Sequence, residues 1–195
     1  KSLAKDTAIY GLSSIIGKFL NYLLVPLYTY ALARTADYGI VTNIYAWTAL
    51  LLVLLTYGME TGFFRFANRE DYDARTVYKT AYIALLISSA LFTMLIIIFH
   101  QPVANVLGYP DHAEFVEMMF ATVAIDAFAC IPFAYLRYQK RPIVFAALKL
   151  LFVLLNIGFN LLFLVILGKN DVFYVFLSNI LATTIQTLCL LPMTM

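Results

Sequence analysis

The chain has 195 residues, of which 63% are hydrophobic and 12% charged, and its formal net charge is +2. Its mean hydropathy is +0.86. A soluble domain is nearer half apolar and a quarter charged, so a soluble globular domain is excluded, and the small net charge gives no reason to expect nucleic acid as a partner. The composition is that of a polytopic, all-α membrane protein.

A bilayer core of about 30 Å needs roughly 20 apolar residues in a helix. Six stretches meet that length in chain order: 7–33, 38–63, 77–100, 113–136, 143–167 and 172–193. Strands are excluded because the runs are long and lack period-two alternation. The connections are short and polar, "ARTAD", "NREDYDARTVYK", "HQPVANVLGYPDHAE", "RYQKRP" and "GKND". Asp111, with Glu114 three residues later, reads as an N-cap for the fourth span, Asp73 as the cap of the third, and Pro142 as the first turn of the fifth. Pro26, Pro132 and Pro192 fall in or near spans, where each can bend a helix. The first apolar run is too long for a cleavable signal peptide and has no small-residue cleavage site.

Orientation follows from the basic residues. With a cytoplasmic N-terminus, the inner segments hold Lys1, Lys5, Arg65, Arg69, Arg75, Lys79, Arg137, Lys140 and Arg141, and the outer loops hold only Arg34 and Lys169. Six crossings then return the C-terminus to the cytoplasm.

Charges inside these runs call for a reason, because an ionised group at mid-bilayer costs at least about 2.5–3.5 kcal/mol. Lys18 lies about 18 Å along its helix from Asp6, Asp126 about 16 Å from Arg137, and Lys149 about 12 Å from Arg141. Glu60 is shallower, about 7 Å from Arg65. Helical spacing places Gly11, Ser14, Lys18 and Asn21 on one face of the first span and Thr42, Tyr45, Thr56 and Glu60 on one face of the second. The fourth span aligns Thr122, Asp126, Phe133 and Arg137, the fifth Lys149, Asn156 and Asn160, and the sixth Asn179, Thr183 and Gln186. The third lacks a strong polar stripe and is expected to face lipid.

Five helices with a polar face each point to a hydrated central cavity. A plainer reading stands beside it: Lys18 pairs with Asp126 to lock the bundle, Lys149 snorkels to the interface, and the Asn and Thr stripes make interhelical hydrogen bonds. Arg65, Arg137 and Glu60 suit either topology anchors and gate pairs or ligand contacts.

Cys130 and Cys189 both fall in apolar runs without metal-ligand spacing. Asp71 and Asp73 form a D-x-D of the kind metal-dependent sugar transferases use, although Asp73 also suits a helix cap. No phosphate-cradling Gly-rich loop and no Ser–His–Asp set are visible, which argues against an enzyme and against ATP hydrolysis. No cofactor is expected.

The segments "LAKDTAIYGLSSIIGKFLNYLLVPLYT", "DYGIVTNIYAW", "GMETGFFRF" and "LGYPDHAEFVEMMFATVAIDAFACIPFAYLRYQKRPIVFAALKL" resemble polysaccharide-export flippases. These belong to the multidrug/oligosaccharidyl-lipid/polysaccharide exporter superfamily, and the match is to its Wzx-like, O-antigen branch. The resemblance runs along the whole chain. It implies a two-lobed exporter of twelve to fourteen helices, of which residues 1–195 would be the N-terminal lobe. It implies a bacterial inner-membrane location and an undecaprenyl-diphosphate-linked oligosaccharide as cargo. Membrane lipids and the polysaccharide polymerase and chain-length machinery would be its partners. By place and charge it assigns Lys18, Arg65, Arg137 and Lys149 to the diphosphate, with Asn21, Asn156 and Asn160 beside them and Asp126 and Glu60 as ion-coupling groups. A cation-coupled drug exporter of the same superfamily, a membrane-embedded glycosyltransferase using Asp71 and Asp73, and a non-transporting scaffold are the competing readings.

Overall fold

The computed structural model describes residues 8–12, 15–16 and 22–194. Seven α-helices follow in order: α1 (Leu24–Ala31), α2 (Thr35–Thr56), α3 (Met59–Ala67), α4 (Ala74–Leu107), α5 (Ala113–Tyr138), α6 (Pro142–Asn160) and α7 (Val172–Thr194). A π-helical turn over Leu161–Ile166 prolongs α6. Every described element is helical, as expected from the long apolar runs.

Among the described residues, five stretches are long and apolar enough to cross a membrane: Ala36–Ala67, Ala74–Leu107, Ala113–Tyr138, Pro142–Ile166 and Val172–Thr194. They coincide with the second to sixth expected spans. Of the first, 7–33, α1 and the helical residues 8–12 and 15–16 are described. Lys18 and Asn21 lie outside the described residues.

The helix boundaries have local causes. The Asp73 carboxylate accepts hydrogen bonds from the Thr76 backbone N–H at 2.9 Å and the Thr76 hydroxyl at 2.8 Å, so Asp73 caps α4 as its sequence predicts. The Thr76 hydroxyl, and then its backbone N–H, hold this carboxyl below the ordinary aspartate range. A group depressed in this way stabilises the fold above its unfolded-state pKa, and that contribution disappears as pH falls through the folded value. Pro142 occupies the first turn of α6, where its missing N–H costs nothing.

Two boundaries differ from the expectation. The N-cap of α5 is His112, not Asp111; no side chain caps it, and the His112 ring reaches Glu114 at 3.1 Å instead. Helix α4 also runs seven residues past its expected end, straight through Pro102, carrying His100 within it. Burial of Ala104 against the neighbouring core offsets the carbonyl left without a donor. The helix then stops at Gly108, whose φ of 85° is left-handed, with the Tyr109 N–H donating back to the Ala104 carbonyl at 2.8 Å.

Helix α5 is the axis of the bundle. Of its most apolar stretch 67% is buried, against 17% for α4. It packs on α4, α7, α2, α3 and α6. Alanines make that approach possible: Ala124, Ala127, Ala129 and Ala134 are all buried along it. One side of α4 joins this core through Ala81, Leu85 and Ser89, while Ile83, Ile87, Leu91, Met94 and Ile98 remain exposed. That apolar outer face agrees with the lipid-facing position expected for the third span.

The second expected span is not one helix. Tyr57 and Gly58 have φ of 34° and 71°, so α2 ends and α3 begins again at this pair. Helix α3 buries Phe63 and Ala67 and leaves Arg65 exposed. Phe63 meets Tyr135 and Tyr138 edge-on at 6.2 and 5.9 Å, and the Tyr138 hydroxyl donates to the Ala67 carbonyl at 3.1 Å. Helix α3 is thereby fastened to the end of α5 rather than to α2. A β-carbon at Gly58 meets no atom within 4 Å, so only its backbone conformation resists substitution. Gly58→Val is expected to destabilise the protein by about 1–2 kcal/mol through the left-handed penalty. Gly39→Ala, in the ordinary helical backbone of α2, is expected to be neutral or mildly stabilising. Thermal unfolding of the two variants in detergent checks the contrast.

Candidate functional site

The charged residues within the expected spans converge. A cavity of about 450 Å³ is walled by α2, α3, α5, α6 and α7, and Glu60, Asp126, Arg137 and Lys149 all line it. Thr56, Cys130, Phe133, Phe145 and Gln186 complete its functional lining. The helical stripes explain the convergence: Asp126, Phe133 and Arg137 share one face of α5, and Lys149 and Phe145 are one turn apart on α6. Arg137 is eleven residues along α5 from Asp126, so the chamber spans about 16 Å from mid-helix toward the basic end of the bundle.

The four charges are not equivalent. Arg137 pairs with Glu60 at 2.5 Å, bridging α5 to α3. Its guanidinium also lies 5.5 Å from the Phe64 ring centre and 5.7 Å from that of Phe145. The Cys130 thiol points to the other Glu60 oxygen at 3.7 Å. Lys149 makes no ion pair among the described residues. Its ammonium sits 3.9 Å from the Phe133 ring centre and 6.0 Å from that of Phe145. A desolvated cation over an aromatic face gains about 2 kcal/mol, comparable to the insertion cost of a lysine. Asp126 and Lys149 feel each other electrostatically across the chamber without direct contact among the described residues. Of the two interior lysines, only Lys149 falls within the described part, and no carboxylate seals it there.

The aromatic floor is built, not incidental. Phe133 and Phe145 meet edge-on at 5.5 Å, and Tyr10, from the described start of the first expected span, meets Phe145 edge-on at 5.1 Å. The Gln186 amide donates to the Leu148 carbonyl at 2.9 Å, tying α7 to α6 beside Lys149. Phe133 stood in the sequence stripe, but Phe145 and Cys130 did not, and only the packing of α5 on α6 reveals their part.

The remaining predicted residues fall elsewhere. Arg65 is exposed on α3 and does not line the chamber. Asn156 lines a second, separate cleft. Asn160 is fully buried, and its amide donates to the Asn156 carbonyl at 2.8 Å and to the Asn156 side-chain oxygen at 3.2 Å. Asn160 therefore holds Asn156 in place. Asp73 is engaged in capping α4, which leaves Asp71 exposed and alone in the D-x-D.

A lipid-length bundle of apolar helices around a charged chamber defines a multi-pass membrane protein of transporter build. Comparison with family models gives the family: residues 3–195 match the polysaccharide biosynthesis protein model, and the chain belongs to that family. The family includes the Wzx flippases, and its members are typically transporters. The match confirms the resemblance read from the sequence. No curated protein and no solved structure matches the chain.

The Glu60–Arg137 pair is about one-third exposed on each side, which limits its contribution to roughly 1 kcal/mol. A double-mutant cycle on Glu60→Gln and Arg137→Met, read by thermal unfolding in detergent, is expected to give a coupling of about that size. A coupling of zero would mean that the Phe64 and Phe145 rings alone hold the guanidinium.

Proposed function

We propose that this chain is the N-terminal, six-helix lobe of a flippase in the bacterial inner membrane. Its cargo is an undecaprenyl-diphosphate-linked oligosaccharide, carried from the cytoplasmic to the periplasmic leaflet for surface polysaccharide synthesis. The observation that carries this reading is Lys149: a cation inside an apolar bundle, in a chamber large enough for a polar headgroup, with no direct ion pair among the described residues.

The physical task is to move a polar head across hydrocarbon while its prenyl tail stays in lipid. Lys149 supplies a counter-charge for the diphosphate, and Lys18 on the first span adds a second. Arg137 is neutralised by Glu60 in this arrangement, and becomes a third when that pair opens. Formal charge in the described chamber balances: Arg137 and Lys149 against Glu60 and Asp126. Moderate rather than strong attraction is what a transported anion needs, since it must also leave. Asp126 offers the coupling step. Ionised, it competes with the diphosphate for Lys149; neutralised by a proton or another cation, it leaves the ammonium to the cargo. Rocking of this lobe against a second lobe exposes the chamber alternately to the two faces. The basic residues after the second and fourth expected spans support a cytoplasmic position for that end of the helices, with both termini of the chain there.

The reading second in rank is a cation-coupled drug exporter of the same superfamily, favoured by the carboxylates and aromatic walls of the chamber. A lysine among those walls opposes a cationic drug and favours an anionic cargo.

Lys149→Met and Lys18→Ala in the complete protein are each expected to abolish surface polysaccharide export, with normal amounts of protein in the membrane. Lys149→Arg is expected to retain part of it. Export assayed on intact cells, with membrane levels checked by immunoblot, decides this; normal export by Lys149→Met would remove the lysine from the mechanism. Efflux of organic cations by the unaltered protein would favour the drug exporter.

A further inference from the structure

A second cleft, of about 260 Å³, lies between α1, α2, α6 and α7. It shares three helices with the charged chamber but sits nearer the other end of the bundle. Asn156 is seven residues from Lys149 on α6, and Asn179 seven from Gln186 on α7, about 10 Å in each case. Its chemistry is different. Tyr28, Tyr38, Thr42, Tyr45, Asn156 and Asn179 supply its polar lining, and no charged side chain lines it among the described residues.

Several of these groups have hydrogen-bonding capacity left over. Asn156 is only 3% exposed, and Asn160 donates to both of its oxygens, yet its own amide N–H groups reach no acceptor among the described residues. Asn179 is 9% exposed; its amide donates to the Tyr45 hydroxyl at 3.2 Å, while its side-chain oxygen receives no donor among the described residues. The Tyr38 hydroxyl likewise makes no hydrogen bond among the described residues. Interhelical glue would consume such groups, because an unmet buried amide costs about 1–3 kcal/mol. Here they border an open space.

We propose that this cleft is a saccharide subsite, taking a neutral, hydroxyl-rich ring of the cargo while the diphosphate is held at Lys149. The assignment rests on the flippase reading of the chamber. A sugar hydroxyl both donates and accepts, as do the side-chain amides and phenols of this lining. Tyrosine offers an apolar face for the C–H side of a ring and a polar tip for its edge. Nothing in the lining compensates a desolvated charge, so a neutral ring is preferred over an acidic one. The offset of about 10 Å along two helices matches a head that extends away from its diphosphate toward the far end of the bundle.

The test uses the complete protein in nanodiscs and two probes: undecaprenyl diphosphate, and the same lipid carrying the host's own repeat unit. Tyr38→Phe and Asn156→Leu are each expected to weaken binding of the sugar-bearing lipid by about threefold to tenfold, as loss of one hydrogen bond does, and to leave undecaprenyl diphosphate unaffected. Lys149→Met is expected to weaken both probes. Unchanged binding of the sugar-bearing lipid in both variants, or equal weakening of both probes by Tyr38→Phe, would overturn the subsite while the flippase reading stands. Failure of the unaltered protein to bind either lipid would overturn the flippase reading itself, and the subsite with it. If Asn156→Leu does not fold, Tyr38→Phe decides, because it deletes a single hydroxyl from a half-buried ring.

Discussion

An ammonium ion in an apolar helix bundle must be compensated, and the way Lys149 is compensated shapes everything around it. The described residues give it no carboxylate at contact distance. It has the rings of Phe133 and Phe145, the field of Asp126 across the chamber, and open volume. A stronger partner would trap the charge; a weaker setting would not allow its insertion. That intermediate compensation leaves the cation available to an anion that comes and goes, which a structural ion pair does not.

The rest of the bundle supports this arrangement. Helix α5 brings Asp126 and Arg137 to the chamber because its small residues let neighbours approach on all sides. The break at Tyr57 and Gly58 uncouples α3 from α2, and α3 instead binds the end of α5 through Phe63, Tyr138 and Glu60. The Glu60–Arg137 bridge consequently spans a joint in the chain, at the basic end of the chamber. A short helix set off by such a break is less constrained by its own backbone than a continuous one, and this one lies at the basic end of the chamber.

The apolar runs made the spans legible, and period-3.6 spacing picked out the side chains that share the chamber, because one-dimensional pattern determines which face of a helix a residue occupies. Long-range packing was not legible. The stripes on α2, α6 and α7 each looked continuous, but they divide between a charged chamber and a neutral cleft, with Thr56, Lys149 and Gln186 on one side and Tyr45, Asn156 and Asn179 on the other. Phe145 and Cys130 were invisible as site residues because an apolar side chain in an apolar run carries no mark until its neighbour is known. Local chemistry misled at Asp111 and Pro102, where the cap shifted to His112 and burial carried α4 onward. It also concealed the Tyr57–Gly58 break, since one glycine among apolar residues is common in membrane helices.

The central claim is that the chamber holds water while the protein is in a bilayer. Its most direct test is thiol reactivity in proteoliposomes, using a membrane-impermeant, water-soluble reagent on the complete protein with Cys130 and Cys189 replaced by serine. A single cysteine at Thr56, on the chamber wall, is compared with one at Leu91, on the exposed apolar face of α4. The account predicts rapid modification of Thr56→Cys, slowed by undecaprenyl-diphosphate-linked oligosaccharide, and no modification of Leu91→Cys. A Thr56→Cys thiol as inert as the one at Leu91, though reactive once the protein is denatured, would contradict it.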